Sequence, residues 1–339
     1  MKAAVFKQKN QMAVIDVPKP TPGAGEVVLK VHACGICGSD LHAVQYGTGL
    51  PADTVMGHEF CGEIHEIGVG VSGYSIGERV TSLPYISCGE CEDCRAGEGM
   101  RCNKIRGLGL GQMPGAYAEF VTCGAKSLLK LPDNVTSREG ALVEPVSVGL
   151  HGVNRSGLKP GASCIVLGAG PIGLSTLLWC KAKGAKTVVV SELAERRYEL
   201  AYTLGASAVV NPNQESPAHK IRELTGEPPS LIFECIGVKS ILESAIEMAA
   251  PRAHIVVLGV CMEPDMIMPI HCILKELRLD FVLAYNLAEF QETIDALASG
   301  RINAAPMITD VIGVEAVPAM FETLRTPTAQ AKVIVEFPL

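Results

Sequence analysis

Four cysteines lie close together in the stretch SCGECEDCRAGEGMRC, residues 87–102. Two residues separate Cys88 from Cys91 and Cys91 from Cys94, and seven lie between Cys94 and Cys102. This spacing allows four thiolates to converge on one ion, and a zinc site with four protein ligands has no open position for a substrate. The pattern predicts a structural zinc site. A redox-active dithiol and an iron–sulfur cluster are the alternatives, since both also use closely spaced cysteines.

A second group of possible metal ligands is divided among three segments. They are ACGICGSDLH, residues 33–42, then MGHEF, residues 56–60, and VEPVSVGLHG, which begins at residue 143. Each segment alone is weak evidence, and the pair Cys34 and Cys37 has the spacing of a redox-active dithiol. Together the segments offer a thiol, an imidazole and two carboxylates, a mixed set that leaves room for water. A catalytic zinc site needs such an open position.

A glycine fingerprint, GxGxxG, lies at Gly168, Gly170 and Gly173. An apolar strand is predicted before it at residues 164–167 and an apolar helix after it, as nucleotide-binding βαβ units require. The first two glycines permit a tight turn against the pyrophosphate, and the third permits close packing of helix and strand. The predicted turn and helix start that face the phosphates comprise Gly168, Gly170, Pro171, Ile172 and Gly173.

A second predicted strand, residues 187–190, leads to Glu192. A carboxylate at this place accepts hydrogen bonds from the adenosine ribose diol and repels a 2′-phosphate, so NAD is favoured over NADP. Arg197 is a further candidate for contact with the cofactor. Arg197 and its neighbour Arg196 could also weaken the preference for NAD, unless both are solvated charges on a helix face.

Strand-like and helical stretches continue to alternate after the fingerprint, at ASAVVN, SLIFECIG, SILESAIEMAA and AHIVVLG. Such alternation predicts a doubly wound parallel sheet in an α/β fold. The 339 residues are 48% hydrophobic and 19% charged, which suits a compact chain with two domains. The net charge of −7 and the lack of a basic cluster in the sequence disfavour nucleic acid and anionic membranes as partners.

Cysteine usage indicates the compartment. Thirteen cysteines, in a chain whose first residues lack the pattern of a secretory signal, predict a reducing, cytoplasmic environment. Residues 164–180 carry no charge, but Gly-Ala-Gly-Pro interrupts them. We therefore expect a strand, a turn and a helix there, and no membrane span.

The segments GICGSDLH, GHE and VEP, the four-cysteine loop and the fingerprint together resemble the zinc-dependent medium-chain alcohol and polyol dehydrogenases. Within that family the sequence is most similar to the threonine, sorbitol, butanediol and sugar-acid dehydrogenases. The resemblance implies a mainly β, GroES-like catalytic domain formed by residues 1–151 and 287–339. It also implies a Rossmann domain at residues 152–286 that binds NAD. Two zinc ions per chain and a homodimer or homotetramer are implied as well, with an edge strand near LRLDFVLA pairing between subunits.

The resemblance assigns roles to the ligand segments. It implies that Cys37 and His58 are firm ligands of a catalytic zinc, with Glu59 as the neighbouring carboxylate. Glu144 is the ligand that binds directly or exchanges with water or substrate. The second zinc is implied to be structural and held by Cys88, Cys91, Cys94 and Cys102. Cys34 has no counterpart in this set and is expected to pack in the core.

Three further residues of the first segment match the groups that move the proton and orient a ligand. Ser39 matches the hydroxyl that lies against the substrate oxygen, and His42 matches the histidine that passes the proton to solvent. Asp40 matches the carboxylate that orients a zinc-bound histidine and fixes its tautomer. The implied reaction is hydride transfer between NAD and an alcohol or ketone.

Two departures from the sorbitol-type pattern bear on the substrate. Ala284 stands where those enzymes have an arginine that holds substrate hydroxyls, and Ala43 stands where polyol enzymes often have tyrosine. Both favour a less polar secondary alcohol, including a bulky one, or its ketone. A polyol, sugar-acid or amino-alcohol dehydrogenase is the alternative, and a non-catalytic protein that binds zinc and nucleotide is an alternative of another class. Candidate residues for the substrate pocket are Tyr46, Leu50, Leu110 and Met113.

Overall fold

The structure is a computed structural model that describes residues 1–47, 49–326 and 329–338. The chain divides into two units. Unit 1 comprises Met1–Glu144, Asn286–Ala298 and Ile308–Leu339, and unit 2 comprises Pro145–Tyr285 and Ser299–Met307. The domain boundaries expected from the sequence stay a prediction.

The chain begins with the elements of unit 1. In order these are β1 (Lys2–Gln8), β2 (Gln11–Asp16), β3 (Glu26–Gly35), α1 (Gly38–Tyr46), β4 (Thr54–Val55), β5 (Glu59–Ile67), β6 (Arg79–Ser82), β7 (Tyr85–Ile86), α2 (Glu92–Arg95), β8 (Arg106–Gly107), β9 (Phe120–Gly124), β10 (Leu128–Lys130) and α3 (Ser137–Ser156). The last of them, α3, runs past Glu144 into unit 2.

The elements of unit 2 follow, and the chain then returns to unit 1. Unit 2 contains β11 (Ser163–Leu167), α4 (Pro171–Ala182), β12 (Thr187–Ser191), α5 (Tyr198–Thr203), β13 (Ala208–Val210), α6 (Pro217–Thr225), β14 (Leu231–Glu234), α7 (Ile241–Met248), β15 (His254–Val257), α8 (Pro269–Lys275) and β16 (Arg278–Phe281). The return consists of α9 (Leu287–Ala298), β17 (Ile308–Gly313), α10 (Val317–Thr323) and β18 (Lys332–Glu336).

The main sheet of unit 1 is built around β3. Its sequence, EVVLKVHACG, is mainly apolar and is buried along nearly its whole length, as a central strand should be. The strand order is β10-β6-β5-β3-β18-β17, and β9 also pairs with β3. Antiparallel pairing joins β3 to β5 and β18, while β17 and β18 are parallel. The ends of β3, β5 and β18 therefore meet, although β18 lies some three hundred residues from β3 in the sequence.

Unit 2 is a doubly wound α/β sheet. Its strand order is β13-β12-β11-β14-β15-β16, and every pairing is parallel. This is the arrangement of dinucleotide-binding folds, in which ligands bind at the carboxyl ends of the strands where the order reverses. The predicted fold of this part of the chain is confirmed.

The fingerprint lies between β11 and α4. Gly168 has a positive φ of 94°, and Gly170 is the N-cap of α4, which begins at Pro171. A Cβ at Gly173 would collide with the Gly168 carbonyl oxygen, so the third glycine allows the turn to pack on the helix. The apolar residues 164–180 thus form a strand, a turn and a helix, as predicted. Across the described ranges, each helix is too short or too polar to cross a membrane.

Candidate active site

The turn between β3 and α1 positions three predicted site residues. Cys37 is the N-cap of α1 and has an extended backbone (φ −100°, ψ 152°). Its N–H donates to Asp40 Oδ2 at 3.1 Å, the reciprocal bond of a capping box. The Ser39 hydroxyl donates to Cys37 Sγ at 3.2 Å. The start of α1 therefore holds a thiol, a hydroxyl and a carboxylate close together.

His58 lies immediately before β5 and meets this turn. Its Nδ1 is 3.2 Å from Asp40 Oδ1, and its Nε2 is 3.3 Å from Ser39 Oγ. Because the Asp40 carboxylate is an acceptor, it favours the imidazole tautomer with the proton on Nδ1. The Nε2 lone pair then lies beside Ser39 and the Cys37 sulfur, where it can bind a metal.

Charges around this turn alter the acid–base properties of its members. Burial alone lowers the pKa of His58, but the Asp40 carboxylate and the Cys37 sulfur outweigh it and raise that pKa well above its usual value. Burial alone would raise the pKa of Asp40. The charge of His58 and the hydrogen bonds from His58, Tyr117 and Cys37 outweigh burial, so the pKa of Asp40 lies below its usual value. The turn therefore attracts positive charge, as a cation site requires.

The carboxylate of Glu59 has a partner that the sequence did not predict. Lys332, at the start of β18, donates to Glu59 Oε1 at 2.7 Å and to Oε2 at 2.6 Å. Its third donation is to the Ile36 carbonyl at 2.9 Å. The side chains of Lys332 and Glu59 are 1% and 0% exposed. Gly35 leaves space for this pair, because a Cβ there would collide with the Glu59 carboxylate.

Lys332 is a fully buried cation among the predicted ligands. Burial alone lowers the pKa of its ammonium group, but Glu59, Cys37 and Glu144 raise that pKa above its usual value. Glu144 is itself buried, within α3. The one sign of this buried lysine in the sequence is its position at the start of KVIVE, where Val-Ile-Val predicts a buried strand.

Of the four residues predicted to bind the catalytic zinc, only Cys37 and His58 have their ligand atoms close together. Within the described residues, no three of Cys37, His58, Glu59 and Glu144 bring ligand atoms within 4.8 Å of one another. The sulfur of Cys37 and the imidazole of His58 meet across Ser39, but Lys332 engages both oxygens of Glu59. The soft sulfur and the oriented imidazole fit zinc in donor type, so these two residues form the base of the candidate metal site.

His42, one turn beyond Ser39 on α1, is half-buried. Burial lowers the pKa of His42 and so favours the neutral imidazole. Its Nδ1 is buried and has no hydrogen-bond partner among residues 1–47, 49–326 and 329–338. A neutral imidazole with an available nitrogen is suited to proton transfer.

The four predicted substrate-pocket residues occupy different environments. Met113 is buried in the hydrophobic core of unit 1, and Leu50 packs against that core. Tyr46 and Leu110 are 39% and 37% exposed. Cys34 is fully buried in the same core, where its packing role was expected.

The four-cysteine loop forms a second candidate metal site, with all its sulfur atoms within 4.8 Å of one another. These are the sulfurs of Cys88, Cys91, Cys94 and Cys102, and all four are free thiols. Backbone N–H groups point at the sulfurs, including Lys104 N to Cys102 Sγ at 3.3 Å. The N–H groups of Glu90 and Cys91 lower the pKa of Cys88 to about 6. Four converging cysteine sulfurs fit a tetrahedral zinc ion.

In unit 2, the carboxylate of Glu192 braces the glycine turn. Its Oε2 accepts a bond from Ala169 N at 2.8 Å, and its Oε1 accepts bonds from Leu193 N and Ala194 N at 2.8 Å each. Arg197 Nη1 lies 3.5 Å from Glu192 Oε2. A buried carboxylate and a guanidinium therefore lie together at the carboxyl end of β12, beside the fingerprint turn.

Known proteins similar to this chain span both units. The family model of the alcohol dehydrogenase GroES-like domain matches residues 23–133, and that of zinc-binding dehydrogenases matches residues 171–299. The predicted combination of a GroES-like and a Rossmann domain is thereby confirmed. A 2-dehydro-3-deoxy-L-galactonate 5-dehydrogenase from Pseudoalteromonas atlantica is 35% identical to this chain. The alignment covers 99% of this chain and 98% of that enzyme.

Two further relatives match over most of their length. An (R,R)-butanediol dehydrogenase from Neisseria gonorrhoeae is 34% identical over 92% of each chain. A zinc-binding dehydrogenase from Sinorhizobium meliloti, solved with bound NADP, superposes with a TM-score of 0.89. It is 31% identical and covers 99% of both chains.

Proposed function

Because this chain belongs to the zinc-dependent medium-chain alcohol and polyol dehydrogenase family, we propose that it transfers hydride between NAD and a secondary alcohol or its ketone. One observation carries the proposal. The Ser39 hydroxyl lies 3.2 Å from the Cys37 sulfur and 3.3 Å from His58 Nε2, in a partly buried turn. A ligand pair with a hydroxyl between its members is the arrangement that metal-assisted proton removal from an alcohol requires.

Cys37 and His58 would hold the catalytic zinc, with Glu144 and Glu59 as the carboxylates that can join them. When bound, zinc supplies a Lewis acid that lowers the pKa of an alcohol hydroxyl, and NAD supplies the carbon that accepts hydride. Ser39 Oγ would accept the hydroxyl proton as it releases its own to the relay, so the serine stays neutral. His42, three residues further on the same face of α1, passes the proton towards solvent. Asp40 keeps the His58 proton on Nδ1 throughout.

We propose two zinc ions per chain, the second held by the four-cysteine loop in a structural role. The test is metal analysis of the purified protein and of Cys37→Ser. We expect zinc content to fall from two ions to one, turnover to be abolished and NAD binding to be nearly unchanged. Cys261→Ser, which removes an exposed thiol, is the matched control. Retained turnover in Cys37→Ser would refute the assignment. A zinc content of one ion per wild-type chain would mean that only the structural site is occupied.

We propose NAD as the preferred cofactor, on the basis of Glu192. Its charge lies beside the fingerprint turn, where it would repel a 2′-phosphate. Arg197 is 3.5 Å away and acts in the opposite sense, and the Sinorhizobium meliloti relative was solved with NADP. We expect kcat/KM for NAD to exceed that for NADP by about tenfold or more. A preference for NADP would overturn this part of the proposal.

We propose a weakly polar secondary alcohol as the substrate because Ala284 and Ala43 supply no hydrogen-bonding group. The second candidate is a polyol or sugar acid, which the likeness to the Pseudoalteromonas enzyme supports. A turnover screen with NAD distinguishes the two. Cyclic and aryl secondary alcohols should be oxidised faster than sorbitol and galactonate, and the reverse order would favour the second candidate.

We propose that the chain forms a homodimer or homotetramer through unit 2. The strand β16 is the last strand of its sheet, and apolar residues on and near it are exposed. They are Met266, Met268, Ile270, Ile273, Leu274, Phe281 and Leu283. An apolar patch around an open strand edge is suited to pairing with a second copy. A monomer in light scattering would refute this. The thirteen cysteines support a cytoplasmic location.

A further inference from the structure

Tyr117 lies between β8 and β9 and is fully buried against the candidate metal site. Its hydroxyl donates to Asp40 Oδ2 at 2.6 Å and also lies 3.2 Å from the Gly35 carbonyl oxygen. Its main chain pairs with the segment that precedes His58, with Tyr117 N donating to the Met56 carbonyl at 2.8 Å. The residue therefore contacts both the carboxylate that orients His58 and the chain that carries it.

We propose that Tyr117 is a positioning residue for His58, acting through the carboxylate of Asp40. The proposal rests on the proposed function, since it concerns the zinc held by Cys37 and His58. It adds a third member to the pair Asp40 and His58. None of the sequence patterns pointed to it.

The hydrogen bonds of Asp40 support this role. Its Oδ2 accepts from the Tyr117 hydroxyl and from Cys37 N, while its Oδ1 faces His58 Nδ1. The two donors on Oδ2 fix the rotation of the carboxylate and so fix the direction in which Oδ1 meets the imidazole. Without the hydroxyl, the carboxylate retains one donor on that side and can turn away. His58 Nε2 would then be held less firmly in its metal-binding direction.

Packing makes the position of the hydroxyl specific. The ring of Tyr117 lies against Gly57, where an added Cβ would be 2.5 Å from a ring carbon. On another side the ring meets Phe321 edge-on, with centroids 6.1 Å apart. The ring therefore has little freedom to move, and the hydroxyl is held at Asp40. The competing explanation is that Tyr117 only fills the core, in which case its hydroxyl matters for stability alone.

The variant Tyr117→Phe separates these explanations because it keeps the ring and removes the oxygen. The measurement is zinc affinity at the Cys37–His58 site, by competition with a chromogenic chelator, together with kcat and the KM for NAD. Loss of a partner of a metal-ligating histidine costs about 10–100-fold in metal affinity. Tyr117 acts one hydrogen bond further away, so we expect about tenfold weaker zinc binding and a lower kcat. The KM for NAD should not change.

Tyr74→Phe is the matched control. It removes a hydroxyl that donates to the Leu128 carbonyl at 2.8 Å in the same unit, away from Asp40. It should lower thermal stability and leave zinc affinity unchanged. If Tyr117→Phe behaves in the same way, the proposal is overturned.

Asp40→Asn provides an independent measurement. If Tyr117 acts through Asp40, zinc affinity of the double variant should be close to that of Asp40→Asn alone, and additive losses would contradict the proposal. A wild-type protein that binds zinc only in the four-cysteine loop would refute the proposed function and this inference with it. Two zinc ions with no effect of Tyr117→Phe would refute the inference alone.

Discussion

The ion pair between Lys332 and Glu59 allows a quantitative prediction. The ammonium group of Lys332 has three N–H donors, and all three are used, on the two Glu59 oxygens and on the Ile36 carbonyl. Neither side chain is more than 1% exposed, so water cannot replace a lost partner. The variant Lys332→Met keeps most of the length of the side chain and removes the charge.

The expected cost follows from the carboxylate left behind. Removing one partner of a buried pair leaves an uncompensated charge and lowers the free energy of unfolding by about 3–5 kcal/mol. The double variant Lys332→Met with Glu59→Met replaces the pair by apolar groups of similar volume. It should recover most of that loss, because hydrophobic replacement of a buried pair is often neutral in stability.

Hydrogen exchange of peptides from β5 and β18 is the appropriate assay. These strands report on unit 1, whereas Trp179, the single tryptophan of the sequence, lies in unit 2. The control is Lys130→Met, which breaks an exposed pair with Glu78 and should change the free energy of unfolding only slightly. A loss in Lys332→Met no greater than that of the control would refute the reasoning. Equal losses in the single and double variants would also contradict it.

Two further predictions concern the cysteine loop and the fingerprint. Cys91→Ser should lower zinc content by one ion per chain and accelerate hydrogen exchange of residues 87–105, since three sulfurs no longer complete a tetrahedron; unchanged zinc content would contradict this. Gly173→Ala should weaken NAD binding about tenfold or more in a fluorescence titration, because the new Cβ collides with the Gly168 carbonyl and distorts the turn. Gly313→Ala, whose Cβ would meet no atom within 4 Å, should bind NAD normally.

The fold was predictable from local patterns. Strand and helix alternate after the fingerprint, and the glycines of GxGxxG predict the turn that joins β11 to α4. These signals depend on residues close in the sequence, so they need no knowledge of tertiary contacts. The same holds for the cysteine loop, whose four cysteines span fifteen positions and lie in one cluster in the structure.

Contacts between distant segments were not predictable in this way. The partner of Glu59 is 273 residues away, and the partner of Asp40 at Tyr117 is 77 residues away. A lysine in a buried strand and a tyrosine in an apolar turn look like ordinary packing residues in the sequence. Which carboxylate each one meets is decided by sheet pairing, and β18 pairs with β3 only in the folded chain.

The pair His58 and Glu59 shows how this pairing shapes the site. Successive side chains of an extended segment point to opposite sides, so the imidazole meets Asp40 while the carboxylate meets Lys332. Each neighbour is therefore fixed by its own buried partner. Lys332 donates to both Glu59 oxygens, so we predict that this carboxylate would join a metal held by Cys37 and His58 only at some cost to the ion pair. An ion held first by the thiol and the imidazole would avoid that cost.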